Sequence, residues 1–194
     1  NLKARLAYST VSQLAYIILG AALANGLGIM GGSMHIAMHA FGKITLFFCA
    51  GAIMVASHKT EVSEMDGLGK VMPITFIAFL IGSLSVIGLP PLGGSWSKWY
   101  LMLSSADAGY TIFLIVFMVS SLLNIAYLMP IVARGFFLNP KPSKNSHNDH
   151  SENLGFWDGF QIGTIKEAPP FCLLAMTLSS LGCIVLFIYA DYIY

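Results

Sequence analysis

Gly88-Leu89-Pro90-Pro91-Leu92-Gly93-Gly94 interrupts an uncharged stretch that otherwise runs from residue 71 to residue 97. Proline lacks the N–H that a helix interior needs, and its ring clashes with the preceding turn. Glycine loses the most conformational freedom on being held helical. Apolar residues resume at Ser95-Trp96, so residues 71–106 read as one membrane-crossing helix broken near its middle at Gly88, Pro90, Pro91, Gly93 and Gly94. A helix broken at that depth is tolerated only where its freed backbone groups are buried in protein or line a cavity.

Outward from this break, the remaining uncharged runs are residues 6–42, 44–57, 108–133 and 168–190. The chain has 194 residues, 56% of them hydrophobic and 10% charged, with a mean hydropathy of +0.74. A soluble domain carries about 25% charge, and a bilayer crossing takes roughly 20 apolar residues in a helix. Lipid cannot satisfy backbone polar groups, and these runs are too long for barrel strands. The expected fold class is therefore all-α and polytopic, with about five transmembrane helices at residues 6–23, 34–57, 71–106, 110–133 and 170–189, the third discontinuous. Three parts follow: membrane helices over residues 1–138, a cytoplasmic polar loop over 139–167, and a C-terminal membrane helix over 168–194. The loop, rich in Asn, Ser, Lys, Pro and His, has the composition of a solvated segment. The opening Asn1-Leu2-Lys3-Ala4-Arg5 has neither an initiator Met nor a signal peptide, as expected for part of a longer chain.

Counting basic residues by side tests this layout. If the broken segment is a single crossing, Lys3, Arg5, Lys59, Lys70, Arg134, Lys141, Lys144 and Lys166 fall on one face and no Lys or Arg falls on the other. A full hairpin at residues 71–107 would split them evenly. The bias favours one discontinuous crossing with the N-terminus cytoplasmic.

A net charge of +1 excludes a nucleic-acid binder that works by neutralising phosphates. Cys49, Cys172 and Cys183 lie in apolar runs and read as small buried hydrophobes. No glycine-rich nucleotide loop, Ser-His-Asp set or carboxylate pair is present, so no catalytic site, haem, iron–sulfur centre or other cofactor is expected in this chain. Whether it serves an enzyme complex stays open.

Only Lys43 and Lys98 place charge inside the apolar runs. An ammonium there costs about 2.5–3.5 kcal/mol on insertion scales, so each needs a partner or a water-filled cavity. His35, His39 and Lys43 are spaced i, i+4, i+8 and so form one stripe about 12 Å long on a helix face. Imidazole holds or passes a proton near neutral pH, and the stripe reads as a ladder of proton-binding groups. The plainer alternative is interhelical hydrogen bonding, and a metal site is disfavoured by the neighbouring lysine and the absence of a nearby carboxylate. Lys98 has two readings of equal weight: a charge switch at the broken helix, or a cation snorkelling to the interface beside Trp96, Trp99 and Tyr100. Ser120, Ser121, Asn124 and Tyr127 on the fourth helix suit hydrogen bonding or a water lining, and His147 and His150 read as solvated loop residues.

Three motifs in order carry a family resemblance: residues 2–13 (LKARLAYSTVSQ), His35-x3-His39-Ala40-Phe41-Gly42-Lys43, and Gly88-Leu89-Pro90-Pro91-Leu92-Gly93-Gly94-Ser95-Trp96-Ser97-Lys98. They resemble the proton-translocating antiporter-like subunits, which include the D and A subunits of Mrp-type monovalent cation/proton antiporters and the L, M and N subunits of respiratory complex I. The resemblance implies two inverted five-helix repeats in the whole protein, of which this chain is the C-terminal part, beginning one helix into the second repeat. By it, Lys43 ends the histidine ladder, Lys98 is the charged residue of the second broken helix, and Lys3 opens the Ala-Tyr-Ser helix. Gly93-Gly94-Ser95-Trp96 departs from the Ser-Gly-Phe more usual there, and the glutamate–lysine pair of the first repeat matches no residue here. Residues 58–73 and the broken-helix motif look most like an Mrp-type D subunit, with complex I subunits second.

The resemblance thus implies a proton relay through Lys98, Lys43, His39, His35 and Lys3 in a bacterial inner-membrane complex. Its partners are protons, sodium or another monovalent cation, the lipid bilayer and other membrane subunits. The alternatives are a proton-pumping subunit of an NADH:quinone oxidoreductase and a non-conducting structural subunit.

Overall fold

A computed structural model describes residues 1–138, 160–162 and 165–193. In chain order these form α1 (Leu2–Ala22), α2 (Gly26–Ser57), a 3-10 turn (Val62–Glu64), α3 (Leu68–Val71), α4 (Pro73–Ile87), α5 (Gly94–Asp107) and α6 (Thr111–Phe137). A short antiparallel hairpin, β1 (Phe160–Ile162) with β2 (Ile165–Glu167), leads to α7 (Pro170–Ile188) and α8 (Ala190–Ile193). His147, His150, Lys141 and Lys144 lie outside the described residues. Every apolar segment expected to cross the membrane is helical. Three of the helices, α2, α6 and α7, are each long and apolar enough to span a bilayer unaided. α2 begins at Gly26, eight residues before the expected start, because Asn25 caps it: its side-chain oxygen accepts the Gly28 N–H at 2.7 Å.

The polarity of the molecule is that of an integral membrane protein. Large apolar side chains cover the outside, among them Ile112, Leu122, Leu174 and Leu178, each more than 60% exposed. The interior holds Gln13, His35, Lys43, Thr45 and Lys98 beside its apolar core. Water would penalise that outer face, and lipid does not.

α4 and α5 together lie antiparallel along the length of α2. Gly82 and Val86 of α4 pack on Gly42, while from α5 Ser97 bonds His35, Leu101 packs on Gly31 and the Ser104 carbonyl accepts Asn25 Nδ2 at 3.0 Å. The broken segment is therefore one discontinuous element, as the charge bias required. Hydrogen bonds tie the charged ends together: Leu2 N donates to the Thr60 carbonyl at 3.0 Å and Gly67 N to the Arg134 carbonyl at 3.0 Å. Arg134 also pairs with Asp66 at 3.5 Å. Lys3, Arg5, Lys59, Lys70 and Arg134 accordingly gather at one end, opposite the Asn25 and Asp107 turns.

At the break, Gly88 has φ +88°, the left-handed conformation that ends α4 without a side-chain clash. Gly94 lies with its Cα against the Ser85 carbonyl, where a Cβ would overlap the oxygen. Overpacking against flexible side chains costs about 1–3 kcal/mol, and backbone yields less. Gly94→Ala is expected to drive α4 and α5 apart and sharply lower the yield and melting temperature of the detergent-solubilised protein. A variant with wild-type melting would show that the two half-helices are not in this contact.

The N-terminus of α4 is capped from a distance. Glu167, 1% exposed, accepts the Ile74 N–H at 2.8 Å through Oε1 and the Thr75 hydroxyl at 2.7 Å through Oε2. A carboxylate at the positive end of a helix dipole satisfies an N–H that has no intrahelical partner. Glu167→Ala is expected to cost about 1–3 kcal/mol, read as a lower unfolding temperature with the broken helix otherwise intact. An unchanged melting temperature would refute the cap.

Candidate functional site

α2 presents His35, His39 and Lys43 on its buried face, with exposures of 2%, 9% and 4%. The two imidazole rings stack, centroids 5.8 Å apart and planes 17° from parallel. His35 Nδ1 shares a 2.9 Å hydrogen bond with Ser97 Oγ, which joins the ladder to the second half of the broken helix. The sequence-predicted row is thus a physical row.

Lys43 ends it inside a polar network. Its Nζ donates to the Leu6 carbonyl at 3.1 Å and to Ser9 Oγ at 2.6 Å. Ser9 Oγ is in a short hydrogen bond with the Tyr127 hydroxyl, which donates to Asn124 Oδ1 at 2.8 Å. Arg5 Nη1 donates to the Tyr127 carbonyl at 3.2 Å.

Lys98 is 3% exposed, and its ammonium points inward rather than to the interface. Nζ donates to the carbonyls of Val86 and Ile87 at 2.9 Å each and stands 3.5 Å from Ser121 Oγ. Those carbonyls are at the C-terminal end of α4, which the break leaves without intrahelical donors, so a cation meets the negative end of a helix dipole. Snorkelling is not the arrangement here. The same ammonium lies 5.1 Å from the centre of the Tyr16 ring, and Tyr16 lies 5.5 Å from the His35 ring. A cavity of about 390 Å³ opens at this point, lined by Gly88, Pro90, Ser95, Lys98 and Ser121 among others.

Among the described residues, no carboxylate forms an ion pair with Lys43 or Lys98. Lys43 is held by neutral oxygens, and Lys98 by neutral oxygens and the face of the Tyr16 ring. Lys3 stands apart. It is exposed, with Nζ 3.3 Å from Met54 Sδ, one helical turn nearer the charged end than Leu6. The structure does not bring it into the buried row.

Ser9, Gln13 and Tyr16 of α1 complete the site, and sequence reasoning did not single them out. Their signal was a polar stripe at i, i+4, i+7 on an otherwise apolar helix, which an ordinary helix–helix contact also produces.

Residues 1–124 match the family described as NADH:quinone oxidoreductase/Mrp antiporter, TM. A similar sequence is NADH-quinone oxidoreductase subunit N of Desulforudis audaxviator, 42% identical over 138 residues, covering 71% of this chain and 28% of that protein. A similar structure is the Mrp complex from Dietzia sp., with a TM-score of 0.78 at 27% identity over 97% of this chain and 40% of that one. Respiratory complex I from Thermus thermophilus with bound NADH has a chain of the same fold, with a TM-score of 0.74 at 19% identity over 96% of this chain and 35% of that one. The chain thus spans well under half the length of the relatives it matches.

Proposed function

Because the chain belongs to the NADH:quinone oxidoreductase/Mrp antiporter membrane family, we propose that it is part of a proton-conducting membrane subunit whose buried row His35, His39, Lys43, together with Lys98, passes protons along the membrane interior. The observation that carries this reading is the pair of buried lysines, neither of them in an ion pair among the described residues, beside the stacked imidazoles of His35 and His39. A scaffold helix gains nothing from two ammonium groups without counter-ions, whereas a relay needs groups that change charge. Protonating one such group raises the cost of protonating its neighbour, and this couples the sites. Lys3, on the surface at the charged end, is the outlet on the cytoplasmic side. Neighbouring membrane subunits close the outer faces of α1 and α6 and reset the charge on the lysines.

In the finer reading the assembly is an Mrp-type antiporter exchanging protons for sodium or another monovalent cation, supported by the likeness to the Mrp complex over nearly the whole chain. The second reading, a complex I subunit, is favoured by the 42% identity to a subunit N. Proton flux into vesicles carrying the full-length protein and its partner subunits separates them. Flux that depends on sodium and is lost in Lys98→Ala supports the antiporter. Flux appearing only with NADH and quinone assigns the chain to complex I. Unchanged flux in an assembled Lys98→Ala variant removes the relay from both.

A further inference from the structure

α1 runs antiparallel to α2 and to α6. Ser9 meets Lys43 while Tyr16 meets His35, which sets Gln13 level with His39. Ser9 also meets Tyr127 while Tyr16 OH donates to Ser120 Oγ at 2.6 Å, which sets Gln13 level with Asn124. Three helices thus bring Gln13, His39 and Asn124 to one height between the two lysines. Their exposures are 0%, 9% and 1%. Gln13 Oε1 and Nε2, His39 Nε2 and Asn124 Nδ2 are all buried without a protein partner. Buried polar atoms are normally satisfied, and four unsatisfied ones at one level form a site for a polar ligand. The set contains amide donors, an amide acceptor and an imidazole nitrogen able to play either part, which is what a water molecule needs. A groove of about 550 Å³ between α1 and α6 has Asn124 in its wall together with Ser9, Ser12 and Ser120, so one member of the set borders a route by which water can reach it.

Lys43 spends its resolved hydrogen bonds on Leu6 and Ser9 of α1, and none joins it to His39. We propose that Gln13 and Asn124 are positioning residues that hold water at the level of His39, and that this water carries the proton between Lys43 and His39. The Lys43 ammonium gives a proton to the water oxygen while that water gives one of its own to His39 Nε2. Lys43 is left as the amine, His39 as the imidazolium, and the water is regenerated. Transfer in the other direction reverses each step.

The inference rests on the relay reading, and the test tells the two apart. The full-length protein in its assembly is examined by high-resolution electron microscopy and by vesicle proton flux, as wild type, Gln13→Met and Asn124→Leu, with Lys43→Met as reference. Methionine matches glutamine in length and removes its polar atoms. Expected are water density touching Gln13, His39 and Asn124 in the wild type, its loss in Gln13→Met, and a flux lower by about tenfold or more in both assembled variants. Lys43→Met losing flux while Gln13→Met retains it would overturn this proposal and leave the relay standing. Flux unaffected by Lys43→Met would overturn both. A dry site in the wild type overturns the proposal even if neither variant assembles.

Discussion

Lys98→Met is expected to assemble normally and to lose proton flux by about two orders of magnitude or more. Methionine fills the lysine stem's volume but binds no proton, so a proton crossing this point must do so without a fixed carrier. The penalty for an intramembrane charge, about 2.5–3.5 kcal/mol, is by itself a factor of about a hundred in rate. The structural cost is local to the end of α4. The carbonyls of Val86 and Ile87 lose their donor, at about 1–3 kcal/mol for each buried acceptor left unpaired. Some softening of the end of α4 should appear as a lower melting temperature without loss of the complex. Vesicle flux together with the assembled fraction checks both parts, and wild-type flux in an assembled variant would remove Lys98 from the path.

The second large effect is expected from Lys43→Met, where chemistry and packing separate more cleanly. The Leu6 carbonyl also accepts the Thr10 hydroxyl at 3.0 Å, and Ser9 Oγ keeps its bond with Tyr127, so no buried acceptor is orphaned when the ammonium goes. Stability should move by less than about 1 kcal/mol, while flux falls by about tenfold to a hundredfold because the ladder loses its terminal proton-binding group. A variant that loses stability and flux in proportion would instead mark Lys43 as a packing residue.

Much of this arrangement was legible in the chain because the bilayer restricts what a sequence can mean. Uncharged runs must be helices there, and two prolines flanked by glycines must break one. The i, i+4, i+8 spacing of His35, His39 and Lys43 put them on one face before any coordinates, since helical geometry alone decides it. The orientation of Lys98 was not legible, because an aromatic-flanked lysine can snorkel or turn inward. The deciding partners, the Val86 and Ile87 carbonyls, are backbone atoms freed only by the break. Gln13 stayed hidden for a related reason, since its neighbours His39 and Asn124 lie on other helices and only the packing register aligns them. Glu167 was masked by its polar surroundings in sequence, although it folds onto the start of α4 as a buried cap. The start of α2 was missed because Gly26-Leu27-Gly28 resembles a turn, whereas Asn25 caps a helix that the glycines then continue.

The central claim is that the buried lysines exchange protons rather than merely carry charge, and Lys98→Arg tests it most directly. Arginine preserves the cation and can still donate to the α4 carbonyls, but its guanidinium does not release a proton under physiological conditions. Proton flux measured in vesicles with the assembled complex should fall to the leak of protein-free vesicles. Wild-type flux in that variant would mean that charge alone suffices at this position, and would contradict the relay.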